Sequence, residues 1–154
     1  MDSWLIGFLI LVVLAAAALL WRRGRAFGVQ VKLERAREMF KLQRERLEAQ
    51  FHKAASSSGK PRGLRWVSCQ WDDEIAFVRE RRTGQLAALV GLTIQFEAIP
   101  GSDMEDLPAV ANLRTASGVF YFQAGQWGTV GRAIFNMSPG EALEHFSKQY
   151  EMAH

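Results

Sequence analysis

Few side chains in this sequence are of a type that does covalent chemistry. Cys69 is the one thiol, and His52, His145 and His154 are the only imidazoles. Nucleophilic catalysis needs a nucleophile, a base and usually a third group that orients the base. His52 lies in a charged helical stretch and His154 is the last residue, so only His145 is left to meet Cys69. A small residue on a strand and an imidazole on a helix surface explain both without catalysis. Zinc asks for clustered Cys and His, and the sequence has no such cluster. Asp72-Asp73-Glu74 and Asp103-Met104-Glu105-Asp106 are of the right type for a hard cation, but neither lies in a glycine-containing twelve-residue calcium loop.

Three apparent motifs also fall short. Gly125, Gly128 and Gly131 are spaced G-x-x-G-x-x-G, which is not the dinucleotide fingerprint. Gly59-Lys60 has Ala54 where a phosphate loop needs glycine, and Pro61 where it needs Ser or Thr. The Asn136-Met137-Ser138 sequon stands directly before Pro139. The sequence therefore assigns no catalytic residue, cofactor or metal ligand, and it points away from an enzyme. The residues left as pocket or partner contacts are Trp66, Trp71, Trp127 and Tyr121, whose rings serve equally well as core.

Among the elements that would carry these residues, the first is an apolar run. Residues 5–20 hold no charged side chain, and Trp4 and Trp21 flank them. Eighteen helical residues span roughly 27 Å against a hydrocarbon core of about 30 Å, and tryptophan suits the membrane interface. The rival is a cleavable signal peptide with Ala15-Ala16-Ala17 as its cleavage site, but Asp2 is the only charge before the run. Arg22, Arg23 and Arg25 follow the run as a lipid-facing basic flank. The positive-inside rule then puts the N-terminus outside and the rest in the cytoplasm. The expectation is a single-pass inner-membrane protein.

Charge divides the remainder. Residues 22–62 carry twelve Lys or Arg against four acids, and residues 63–154 carry seven against eleven. A basic segment beside an acidic domain suits anionic lipid and argues against nucleic acid. Residues 29–55 contain neither Gly nor Pro and are rich in helix formers. Leu33, Ala36, Phe40, Leu47 and Ala54 make a thin stripe at 3-4 spacing, with Gln43 and Gln50 interrupting it. Either a weak coiled coil forms a homo-oligomer, or a solvated spacer lays that edge on its own domain or on the membrane. Gly24 and Gly28 are expected to interrupt the helix. The expected domains are an anchor at 1–22, a basic helical stalk at 23–55, a linker at 56–63 and a small α+β domain at 64–154 that folds without the stalk.

Within that domain, alternation predicts strands at 64–71 and 74–82 about an Asp72-Asp73 turn, and a long strand at 86–98 whose buried face is Leu86, Ala88, Val90, Leu92, Ile94, Phe96 and Ala98. Gly91 is a bulge candidate. Two more strands fall at 115–123 and 127–137. Ser102 and Glu105 form a candidate capping box, and Pro108 a second helix start. Ser138, Pro139 and Glu141 open a C-terminal helix whose apolar face is Ala142, Leu143, Phe146 and Tyr150. The fold class read from this is α+β: transmembrane helix, stalk, then a mainly antiparallel five-stranded sheet with one helix on one face.

Phe96-Glu97-Ala98-Ile99, Asp103-Met104-Glu105-Asp106, Ala111-Asn112-Leu113-Arg114 and Gly131-Arg132-Ala133-Ile134-Phe135-Asn136 resemble segments of small membrane-anchored proteins of unknown function from planctomycete-type bacteria. The resemblance implies the general layout and brings no activity. Two readings follow: a non-enzymatic interaction or scaffold protein holding an acidic domain at the cytoplasmic membrane face, or a small-molecule-binding or hydrolytic domain with a pocket between sheet and helix.

Overall fold

The computed structural model describes the backbone of residues 3–154, and their side chains except those of residues 3, 5, 6, 9 and 22–31. Helix α1 runs from Ser3 to Ser57 without interruption, so Gly24 and Gly28 do not end it. Strands β1 (Leu64–Glu80) and β2 (Leu86–Ala98) follow, then a 3-10 helix at Pro108–Ala111. Next come β3 (Arg114–Gln123), β4 (Gln126–Gly128), β5 (Ala133–Phe135), helix α2 (Pro139–His145) and β6 (Tyr150–Met152). The chain is α+β, with three helices and a six-stranded antiparallel sheet ordered β4-β3-β2-β1-β6, β5 pairing with β3.

The membrane expectations are corrected. Among the described residues no helix is long and apolar enough to cross a membrane. The transmembrane anchor, the single-pass topology, the N-outside orientation and the inner-membrane localisation are therefore not supported. The side chains of Arg22, Arg23 and Arg25, read as a lipid-facing flank, lie outside those described.

The chain divides into a unit of residues 1–36 with His154, and a compact unit from Arg37 to Ala153. The boundary falls in mid-helix rather than at the 56–63 linker, because the second half of α1 is one layer of the compact unit. Phe40, Leu47, Phe51 and Ala55 are all within 1% of full burial. Their spacing follows 3.6 residues per turn, as a helix lying on a sheet requires, so Phe51 replaces the Ala54 of the heptad reading. Phe40 meets Phe77, Phe120 and Trp127 edge-on at 5.0–5.7 Å between ring centroids, and Phe51 meets Trp71 at 5.1 Å. Such edge-to-face pairs add to the burial of the rings themselves.

Both faces of the sheet are covered. Leu86, Ala88, Val90, Leu92, Ile94 and Phe96 are buried on one face, as their alternation predicts, but that face lies against α1 rather than the C-terminal helix, and Ala98 is only half-buried. On the other face Ala87 and Leu89 join Ala76, Val78, Val119, Ile134, Ala142 and Tyr150 in a second buried cluster beneath α2. The expectation of five strands and a single helix on one face is corrected to six strands between two helical layers. Among the β2 side chains on the α2 face, only Gln95 and Glu97 remain exposed.

Three local differences have physical causes. The Asp72-Asp73 turn is instead a bulge inside one long β1: Trp71 pairs with Leu92 and Ile75 with Val90, so residues 72–74 stand opposite Gly91 alone. Gly91 does serve a bulge, but on the neighbouring strand; a Cβ there would meet the Asp72 carboxylate at 3.0 Å. The strand expected at 127–137 breaks into β4 and β5 because Gly131 turns with φ +73° against α1, where a Cβ would lie 2.3 Å from the Ala55 nitrogen. Helix α2 starts as predicted: the Ser138 hydroxyl accepts from the Glu141 amide, and the Glu141 carboxylate accepts from the Ser138 amide at 2.8 Å. It ends at His145, and Tyr150 is buried from β6 rather than from the helix.

The compact unit's boundary predicts how fragments behave. Residues 37–154 will unfold cooperatively in urea, whereas residues 63–154, lacking the helical layer, will show no cooperative transition. In the full chain Phe51→Ala will cost about 3–5 kcal/mol by emptying the aromatic layer, and Gln95→Ala about 0.5 kcal/mol or less. Comparable cooperativity for the shorter fragment would show that α1 is not part of the core.

Candidate functional site

The four aromatic candidates do not converge. Trp66, Trp71 and Trp127 lie under α1 as part of the packed layer. Trp66 and Trp71 flank Phe51, and Trp127 meets Phe40 edge-on and Phe122 at a tilt. The Trp66 indole N–H donates to the Lys60 carbonyl at 2.8 Å. Tyr121 is on the other face, where it lines a cavity of about 250 Å³ with Glu80, Gln85, Ala87, Arg132, Gln149 and Tyr150. Burial lowers the tendency of the Arg132 guanidinium to stay charged, but hydrogen bonds and attraction from Tyr121 and Tyr150 outweigh it and the net shift is upward. Burial, with Tyr121 and Glu80 adding to it and Arg132 opposing, raises the Tyr150 phenol. The cavity thus holds a fixed cation between two tyrosine hydroxyls, with a carboxylate at its edge. It contains no nucleophile paired with a base.

Cys69 pairs with Ile94 on the α1 side of the sheet, whereas His145 is on α2 on the opposite side. Burial pushes the Cys69 thiol up to about 11. At pH 7 only about one molecule in ten thousand is then thiolate, the form that reacts.

The bulge acids have structural partners instead of a shared ligand. Arg44 of α1 donates to the Asp72 carbonyl and lies 3.6 Å from the Asp73 carboxylate. The Glu74 carboxylate accepts from the Gly140 amide in the first turn of α2 at 3.1 Å. These carboxylates splay toward two helices on opposite faces. Among the described residues no three His, Cys, Asp or Glu side chains are grouped to hold a metal ion.

One concavity was missed by the sequence reading. An open groove of about 690 Å³ lies at the far end of β2, floored by Val67, Gln95 and Glu97 and walled by Leu107, Pro108 and Val110. Val67 reaches it because a second bulge, between Trp66 and Ser68, turns its side chain outward, 47% exposed. Glu97 is ion-paired with Arg65 at 2.5 Å, and that pairing raises the Arg65 pKa. The Glu105 carboxylate accepts from the Gly101 amide at 2.7 Å and so fixes the loop. Ser102 and Glu105 therefore shape a turn rather than open a helix, while Pro108 does start the 3-10 helix. A lone strand valine and an aperiodic loop gave no sequence signal for a groove.

Against known proteins, no family model matches the chain, and no curated protein or solved structure matches it.

The Cys69 environment gives a direct check. Titrating the thiol with a chromogenic disulfide reagent will show little reaction at pH 8 and a midpoint near 11. Because the folded thiol ionises later than the unfolded one, its contribution to stability is intact below pH 9 and is lost as pH rises toward 11. Rapid labelling at pH 7 would contradict the burial that sets this value.

Proposed function

We propose that the Arg37–Ala153 unit is a non-enzymatic interaction module and that the groove beside β2 is its contact surface. The supporting observation is the groove itself: an open concavity of mixed apolar and polar lining, within the size range of binding sites and without a thiol, hydroxyl or imidazole among its lining residues. Its setting differs from the acidic domain expected at 64–154. From Arg37 onward fourteen basic and fourteen acidic side chains cancel, so partner choice rests on local patches rather than net charge.

The second reading, a small-molecule site, is favoured by the Tyr121–Arg132–Tyr150 cavity, where polar groups converge. At about 250 Å³ it is smaller than most ligand sites, and without a nucleophile–base pair it supports binding rather than hydrolysis.

The full chain and a Leu107→Glu variant, each purified from the native cells, separate the two. Leu107 is half exposed, so the substitution will leave the melting temperature nearly unchanged. The expected result is a protein recovered in stoichiometric amount with the wild type and lost with the variant. Equal recovery with both would remove the groove as the contact. A small molecule found in both, with no protein partner, would favour the Arg132 cavity.

A further inference from the structure

The groove carries information about what it takes. Two of its apolar side chains are left partly in water: Val67 is 47% and Leu107 49% exposed. The charged side chains in its lining, Glu97 and Glu105, have a single sign. From Glu97 to Leu113 the sequence holds four carboxylates, Glu97, Asp103, Glu105 and Asp106, and no Lys or Arg. Glu97 and Glu105 line the groove directly. Two arginines border the region, and both are engaged: Arg65 in its ion pair with Glu97, and Arg114 in a hydrogen bond to the Ala109 carbonyl at 3.2 Å. Asp103 and Asp106 have no ion-pair partner among the described residues. Apolar side chains open to water favour burial by a partner. A rim of one charge selects its opposite and repels like charge.

Resting on the reading of this groove as a contact surface, we infer that it docks a cationic amphipathic protein segment, with apolar side chains seated between Val67 and Leu107 and Lys or Arg side chains over the 103–106 carboxylates. Acidic and uncharged segments are excluded partners. The expected affinity falls with salt, because rim charges in water are screened within about 10 Å at 0.1 M.

The probe is a fluorescently labelled fourteen-residue leucine–lysine peptide with amphipathic spacing, titrated into the full chain by anisotropy. A glutamine-for-lysine analogue and a glutamate-for-lysine analogue run beside it. The lysine peptide will bind at least about tenfold more tightly than the glutamine analogue at low salt, and the glutamate analogue will not bind. The triple variant Asp103→Asn, Glu105→Gln, Asp106→Asn keeps an oxygen to accept from the Gly101 amide, and it will bind the lysine peptide about fivefold or more weakly without changing its affinity for the glutamine analogue. Leu107→Ser will weaken both peptides. If the glutamine analogue binds as tightly as the lysine peptide, and Leu107→Ser weakens both, the groove is a contact surface without charge selection: the inference fails while the proposed function stands. If Leu107→Ser weakens neither peptide, both fail. Sedimentation of the full chain covers the remaining occupant: self-association abolished by Leu107→Ser would make a second copy the partner and overturn the inference.

Discussion

The structure of the compact unit depends on one contact layer, the burial of Phe40, Leu47 and Phe51 of α1 against Phe77, Trp71, Phe120 and Trp127 of the sheet. Strands with side chains this large on one face cannot leave that face in water, and α2, seven residues long, can cover only the other. The second half of α1 is the element long enough to do so. Two glycines show how close the approach is. Gly118 leaves room for the Trp71 and Phe51 rings, which a Cβ would meet at 3.1–3.2 Å, and Gly131 admits the backbone of Ala55.

The same layer explains where charges go. Arg37 donates to the Ala153 carbonyl at 2.9 Å with its guanidinium over the Phe77 ring, joining the helix to the chain's end. Arg44 reaches the β1 bulge from one face while Glu74 of that bulge reaches α2 on the other. The bulge is therefore a joint between the two helical layers, and its acids are structural. It also blunts an edge. Between Leu64 and Ala76, β1 has a strand neighbour on one side only, and two bulges, charged residues and a short β6 protect such an edge from pairing with another chain.

How much of this the sequence disclosed depended on the range of the interaction. The β2 alternation and the α2 capping box are local patterns, and both are present as read. The coverage of the second β2 face was not legible, because Ala87 and Leu89 look as much like a tolerated surface as a buried one. Phe51 stood outside the heptad frame, since only a 3.6-residue period brings it into line with Phe40 and Leu47. The serine-rich segment after α1 looked like a domain boundary because linkers and tight turns use the same residues, and only the tertiary contacts separate the two. Tyr150 matched a helical face at i+4 from Phe146, but a three-residue strand has no period to announce itself. The groove depends on one bulged valine and an aperiodic loop, neither of which has a sequence signature.

Native-state hydrogen exchange on the full chain tests the central claim, that the second half of α1 is an integral layer of the compact unit. Amides of residues 40–55 should exchange only through the global opening that also exposes β2 and β3, with the same opening free energy and the same denaturant dependence. Exchange of those helix amides at a markedly lower free energy, while β2 and β3 stay protected, would show a domain that holds together without its helix and would contradict the account.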